Sequence, residues 1–422
     1  MKKLIALLLA LAMVACLFVG CNNETNNDNT QGNNTSDNAN DNDASEDNSE
    51  DPTNNNADLS AYKIAMVTDY GDITDQSFNQ TTYEACKLFA DTYGVQFQYY
   101  KPTTNDTAGR VASIELAIAE GYNVLVLPGY AFGGSIVEIA PQYPEVKFIA
   151  LDVAAGDFLE TAVANAGEAY DYNPDNWEFE KYVDLSNVYS AIYQEELSGY
   201  MAGYATVKLG YTEIGYLGGM AVPAVIRFGH GYVQGVNDAA ADLGITVNLK
   251  YVYGGQFNGD ADITAAMDTW FANGTEIVFA CGGGIYTSAC EAAQKVGGKV
   301  IGVDVDQSGI IDAAYGEGMT ITSAMKGLAP TTIDTLTDVV INGNWANYVG
   351  KIENLGLVSG DDASLNYVQI PETTQFEDGK FTAEDYAALV KGMYEGTIVV
   401  SNDTTAEPEV TNVNVSYLGN LK

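Results

Sequence analysis

Basic residues are scarce in this chain. Its 422 residues include 18 Lys plus Arg against 57 Asp plus Glu, a formal charge of −39. Such a surface repels polyanions, so no nucleic acid and no anionic membrane surface is expected to bind through charge. Histidine is nearly absent. The single His230 lies in "RFGHGYVQG", inside a predicted helix and without a Ser or Cys partner. Of five cysteines, Cys86, Cys281 and Cys290 fall in the body of the chain and none forms a CxxC pair. A disulfide framework or a cysteine metal site is therefore not expected, and all three read as small buried residues. No G-x-x-x-x-G-K-[ST] loop occurs, and "GYLGGMAVP" lacks the G-x-G-x-x-G spacing, so neither a P-loop ATPase nor a dinucleotide fingerprint is present. No cofactor, no metal and no enzymatic activity are expected. Carboxylates are plentiful enough that a glycosidase-type pair across a cleft stays open as the enzymatic alternative.

Long apolar runs are missing except at the start. "MKKLIALLLALAMVACLFVGC" has a charged beginning, an apolar middle and small residues before a cysteine. These are the parts of a secretion signal. The apolar middle is shorter than the roughly 20 residues of a spanning helix. "FVGC" resembles a bacterial lipobox, which makes residues 1–20 a lipoprotein signal peptide and Cys21 the lipidated residue. "MVAC" at Cys16 is the weaker candidate. Residues 22–58 hold fourteen Asn and no Lys or Arg. A segment this polar cannot bury enough surface to offset its ordering entropy, so 21–58 reads as a disordered tether. A lipid on Cys21 would anchor the protein to the extracytoplasmic face of the cell membrane without spanning it.

From residue 59 the pattern alternates. "KIAMVTD", "VQFQYYK", "NVLVLPG" and "VKFIALD" read as strands, separated by helical stretches such as "SFNQTTYEACKLFADTYG" and "DTAGRVASIELAIAEG". Strands apolar on both faces and alternating with helices indicate parallel sheets. The pattern resets near residue 188. There "SAIYQEELSGYMAGYATVKLG" reads as one long helix leading to "EIGYLGG", "TVNLKYVYGG", "EIVFACGGG" and "KVIGVDVD". The expectation is an α/β protein of two doubly wound lobes joined by a hinge. Lobe 1 would hold 59–187 plus about 307–347, and lobe 2 would hold 188–306 plus part of 348–422. "VTNVNVSY" alternates like an edge strand. The insert at 170–184 and the segment 350–422 carry no readable role.

Nearly every strand ends in Gly or Asp, among them Asp69, Gly129, Asp152, Gly218–Gly219, Gly282–Gly284 and Asp304. In open α/β sheets ligands bind outside the carboxyl ends of the strands, so two facing lobes place these ends in one cleft. Ser77 with Gln80 fits a capping box, with Ser77 as N-cap. That sets Phe78 and Asn79 at the mouth of a helix, beside the end of the first strand. Phe78 offers an aromatic face and Asn79 a donor with an acceptor. The plainer alternatives also fit these residues: Phe78 packs on the sheet, Asp152 and Asp304 cap the following helices, and Lys326 is a surface charge.

The resemblance comes from five ordered motifs. "VTDYGDITDQSFNQ" resembles V-T-D-x-G-G-x-x-D-K-S-F-N-Q, the signature of the basic membrane protein family of nucleoside-binding lipoproteins. "YPEVKFIALD", "IGYLGGMAVPAVIRFGHGYVQGV", "VIGVDVDQ" and "ITSAMK" are similar to the family's later segments. The likeness covers roughly 62 to 345. Gln76 replaces the family's Lys and Asp72 its second Gly. The resemblance implies a type I periplasmic-binding-protein fold that serves an ABC importer, with a nucleoside, purine by similarity to the purine nucleoside receptor, held between the lobes and passed to permease subunits. By position, Phe78 would stack on the base with Phe257 on its other face, Phe228 being the alternative. Asp69, Asn79 and Asp152 would hydrogen-bond the ligand from lobe 1. Asp304 and Lys326 would hold the ribose hydroxyls.

Overall fold

The computed structural model describes residues 59–422. The expected signal peptide, Cys21 and the tether lie outside the described residues. Among the described residues, no helix is long and apolar enough to cross a membrane.

The short apolar runs become strands of two sheets. The first holds β1 (Lys63–Val67), β2 (Gln96–Tyr100), β3 (Val124–Pro128), β4 (Lys147–Leu151), β5 (Val188–Tyr193) and the distant β11 (Ile352–Leu355). Their order is β11-β5-β4-β3-β1-β2, all parallel. The second holds β6 (Glu213–Gly218), β7 (Val247–Tyr253), β8 (Ile277–Cys281), β9 (Lys299–Asp304), β10 (Thr320–Lys326), β12 (Val368–Gln369) and β13 (Val413–Asn420). Its order is β12-β10-β9-β8-β6-β7-β13, with only β10 and β12 antiparallel. β3 and β8 are buried at every residue because helices cover both faces, which is why their sequences show no alternation. β13 starts buried at Val413 and then alternates exposed and partly buried positions to Leu418 at the sheet edge, as its sequence implies.

The helices between strands are α1 (Phe78–Tyr93), α2 (Thr107–Ala119), α3 (Phe132–Ile139), α4 (Ala155–Asn165), α5 (Glu195–Lys208), α6 (Pro223–Leu243), α7 (Ala261–Ala272), α8 (Tyr286–Gln294), α9 (Ser308–Tyr315), α10 (Leu328–Leu336) and α11 (Ala383–Tyr394). Four apolar clusters, one on each face of each sheet, form the core.

The lobe boundaries differ from the sequence expectation. The stretch read as one helix from 190 divides at Gln194 into the end of β5 and α5. β5 pairs with β4 and stays in lobe 1, so the chain leaves that lobe after residue 193 and not at 188. α9 and β10, expected in lobe 1, belong to the second sheet, where β10 pairs with β9. Three crossings result, near Gln194, Gly327 and Gly356, and they bond to one another. Gln194 N donates to Leu355 O at 2.9 Å, Tyr367 N to Gly356 O at 3.0 Å, and Gly327 N to Tyr367 O at 2.6 Å.

α5 and α6 lie unusually close. A Cβ on Gly199 would stand 2.2 Å from Phe228 O, on Gly203 2.3 Å from Tyr232 O, on Gly231 2.0 Å from Glu196 O, and on Gly235 2.1 Å from Tyr200 O. Four glycines, two per helix and spaced four apart, thus replace side-chain packing with backbone contact. The seam fixes the N-terminal ends of both helices, which carry Glu195 and Arg227 to the cleft.

Candidate functional site

A cleft of about 450 Å³ opens between the carboxyl ends of the two sheets. Asp69, Phe78, Asn79, Asp152, Phe257, Asp304 and Lys326 all line it. The structure therefore brings all seven side chains expected to bind the ligand to one place.

The helix mouth is built differently from the expected capping box. α1 starts at Phe78 with Ser77 at its N-cap, but the Ser77 side chain makes no cap hydrogen bond. Asp75 takes that role. Its carboxylate accepts from the backbone N–H of Ser77 at 3.0 Å, Asn79 at 2.9 Å and Gln80 at 3.1 Å. A carboxylate at a helix N-terminus also meets the positive end of the dipole. Gln80 Oε1 reaches back to Gln76 N at 3.1 Å instead of to the N-cap. Ser77 is thereby released to point across the cleft, where its Oγ donates to Asp304 Oδ2 at 2.6 Å. A second link joins the lobes beside it: Gln307 Nε2 donates to Gln76 O at 3.2 Å.

Asp152 follows β4 and Asp304 ends β9, equivalent places in the two lobes. Both hold left-handed backbone, with φ of 60° and 65°. Such a conformation in a non-glycine residue costs of order 1–3 kcal/mol and persists where the surroundings enforce it, most often at functional sites. Here the surroundings are Lys326, at the end of β10. Its ammonium contacts Asp152 Oδ2 directly and lies 3.5 Å from Asp304 Oδ1 and 3.6 Å from Glu195 Oε1. It also stands 4.8 Å from the centre of the Phe78 ring. Lys326 is 6% exposed, so it is not a surface charge. Burial alone would lower its pKa, but Asp152, Asp304 and Glu195 outweigh that and raise it. Asp152 is pushed up to about 6 by burial, with Lys326 pulling it down and Glu195 pushing it up. The lysine is the firmly charged member of the group.

The two aromatics come from opposite lobes. Phe78 and Phe257 are both half-buried. The Phe257 ring lies on the backbone of Gly219, where a Cβ would stand 2.4 Å from its Cδ1. Phe228 is 1% exposed and packed edge-on against Phe279 at 6.2 Å, so Phe257 has the freer face.

Sequence reasoning missed a second ion pair, which joins Arg227 of the cleft wall to Glu195 buried behind it. Arg227 Nε donates to Glu195 Oε2 at 2.6 Å, with both side chains largely buried. The partners stand 32 residues apart and meet only because the α5–α6 seam aligns two helix starts, so no local signal marks them. Asp157, also in the wall, is held near pKa 7 chiefly by burial, and burial likewise holds Glu196 near 7.

These raised values set a pH dependence. A folded pKa above the unfolded one contributes stability that is complete below the unfolded value, near 4, and is lost as pH rises through the folded value. Asp152, Asp157 and Glu196 therefore favour the folded state most at mildly acid pH. The melting temperature is expected to rise on going from pH 8 to pH 5.5, a window above the titration of the exposed, pKa-lowered carboxylates such as Asp106 and Asp171. Glu196→Gln should flatten the rise, and a parallel curve in that variant would contradict it.

Two lobes of mainly parallel sheet with strand ends facing a shared cleft make up the periplasmic-binding-protein fold. The family pattern described as "ABC transporter substrate-binding protein PnrA-like" matches residues 62–377, and the chain belongs to that Bmp family. The ABC transporter nucleoside-binding protein BmpA of Lactococcus lactis is 25% identical over 258 residues. That match covers 58% of this chain and 64% of the Lactococcus protein's length. An uncharacterised lipoprotein of Pyrococcus furiosus is 24% identical, covering 79% of this chain and 78% of its own. Basic membrane protein A2 of Borrelia garinii is 24% identical, covering 75% and 82%. An ABC transporter solute-binding protein of Aeropyrum pernix shares the fold with a TM-score of 0.57 at 20% identity, over 81% of this chain and 88% of that one.

Proposed function

We propose that this protein is a lipid-anchored extracytoplasmic receptor that holds a nucleoside, a purine by its family resemblance, between its lobes and delivers it to the permease of an ABC importer. The observation that carries the reading is the meeting, in one cleft, of half-buried Phe78 and Phe257 from opposite lobes with the buried group Asp152, Asp304 and Lys326. A nucleoside has the matching halves: a flat base for the rings and a sugar whose hydroxyls donate and accept. Asp304 and Lys326 would take the ribose, and Asp69, Asn79 and Asp152 would take polar edges from lobe 1. The name of the Lactococcus relative supports the same ligand class, and relatives called lipoproteins support an anchor at Cys21. Closure about the three crossings is of the hinge type. Ligand binding need only favour the closed arrangement over the open one.

A thermal-shift panel tests the reading. A ligand that binds only the folded state raises the melting temperature at concentrations well above its dissociation constant. Nucleosides are expected to do so, while free ribose and hexoses are not, and incubation should release no free base. A shift with hexoses alone would overturn the proposal. Phe78→Ala is expected to weaken nucleoside binding at least tenfold in calorimetry, because base stacking is worth about 1–3 kcal/mol.

A further inference from the structure

Phe257, the cleft ring of lobe 2, sits on a loop of high intrinsic freedom. Between β7 and α7 the chain runs Gly254, Gly255, Gln256, Phe257, Asn258, Gly259, three glycines in six residues. Glycine leaves the backbone its widest choice of conformation, so contacts from outside must hold the ring in place. On the cleft side Gly255 N donates to Gly219 O at 2.9 Å, and a Cβ on Gly282 would stand 3.0 Å from Phe257 Cδ1.

The other side is held by a segment outside the matched family pattern, which ends at residue 377. β13 runs parallel to β7, and its register shifts between Tyr417 and Asn420, where Gly419 has a φ of 71°. The shift brings Asn420 opposite Tyr253, and Leu421 N donates to Tyr253 O at 2.8 Å. The chain thereby follows β7 to its carboxyl end and delivers Lys422 to the root of the loop. A Cβ on Gly255 would stand 3.2 Å from Lys422 Cβ. The Lys422 ammonium contacts Asp260 Oδ2 directly and lies 3.6 Å from Asp262 Oδ2.

Asp260 is the junction. Its Oδ1 caps α7, accepting from the backbone N–H groups of Asp262 and Ile263, each at 3.0 Å. Its Oδ2 accepts from the Gln256 side chain as well as from Lys422. Gln256 Nε2 also donates to Asn258 O at 3.1 Å. The residues on both sides of Phe257 are therefore tied through one amide to one carboxylate, and Lys422 orients that carboxylate. The same contact holds the Asp260 carboxyl below the usual carboxylate range, so the acceptor stays charged.

We infer that Lys422 is a positioning residue for ligand binding: through Asp260 and Gln256 it holds the Phe257 loop in the shape that presents the ring to the cleft. Its role in binding rests on the nucleoside reading above, whereas the brace on the loop does not. Lys422 does not itself line the cleft, so it acts only through the loop. The contact lies at the protein surface, where an ion pair adds little to global stability.

Lys422→Met, which keeps the stem and removes the charge, tests both parts. Hydrogen exchange at the backbone amides of Gln256, Phe257 and Asn258 is expected to quicken, while the β8 amides and the melting temperature stay at wild-type values. Calorimetry should show nucleoside affinity reduced about threefold to tenfold, the range that goes with ordering one side chain on binding. Lys422→Arg should restore both readouts. In a Phe257→Ala background Lys422→Met should have little further effect, because the ring it positions is gone. Unchanged exchange in the loop would overturn the brace, whatever the ligand. Faster exchange with unchanged affinity, or with a loss just as large in the absence of the Phe257 ring, would overturn the role in binding. Failure of every nucleoside to bind would overturn the nucleoside reading, and the exchange result would still decide the brace.

Discussion

Lys326→Met is expected to lose about 3–5 kcal/mol of stability at pH 7, the usual cost of stripping one partner from a buried ionic group. Native proteins have only about 5–15 kcal/mol in total, so this variant sits near the edge of folding. The cause is specific. Asp152, Asp304 and Glu195 converge on one ammonium, and methionine keeps the volume while removing the charge. The deficit should depend on pH. Without the lysine Asp152 rises further above its unfolded value, so the variant regains stability as pH falls and that carboxyl becomes neutral. Lys326's own raised pKa means its contribution is constant below about 10.4, the ordinary lysine value, and falls away as pH rises from there through the folded value. Denaturant melts at pH 5 and pH 8 check this. A variant as stable as the wild type at pH 8 would show that the ion group is not held as described.

The second large effect lies outside the cleft. Gly231→Val puts a branched side chain where a Cβ already stands 2.0 Å from Glu196 O. Backbone cannot swing aside as a side chain can, so α5 and α6 must separate along the seam. Overpacking typically costs 1–3 kcal/mol, and a forced backbone shift places this case at about 3 kcal/mol or above. Even Gly231→Ala should destabilise, although alanine at an ordinary helix position gains about 1 kcal/mol over glycine. Gly309 in α9 is the control: nothing stands within 4 Å of its Cβ position, so Gly309→Ala should be neutral or stabilising. Equal effects at the two positions would contradict the seam. Because Glu196 follows Glu195, displacement there should also disturb the Arg227–Glu195 pair and weaken ligand binding.

The architecture was legible where physics is local. β3 and β8 are continuous apolar runs bounded by glycine, and only a buried parallel strand fits that pattern. The gathering of Asp69, Asp152 and Asp304 followed from one rule about strand ends. The errors have equally local causes. "VYSAIY" and the helix after it are both buried, so neither shows the one-sided periodicity that separates strand from helix, and the break at Gln194 carries no Gly or Pro. The lobe assignment of β10 depended on a pairing with β9 that a sequence does not display. Ser77 looked like a cap because Ser-x-x-Gln is a capping pattern. Asp75, two residues earlier, supplies a stronger acceptor for the same N–H groups, and Ser77 is spent on the opposite lobe instead.

That exchange is also what links the helix mouth to the second lobe. Asp304 receives Ser77 from lobe 1 and Lys326 from its own, so it ties the two lobes together. The central claim is that a nucleoside joins this same group. Calorimetric titration of the wild-type protein and of Asp304→Ala with the nucleoside giving the largest thermal shift tests it most directly. The account predicts measurable binding by the wild type and at least a tenfold loss in the variant. Unchanged affinity in Asp304→Ala would contradict it.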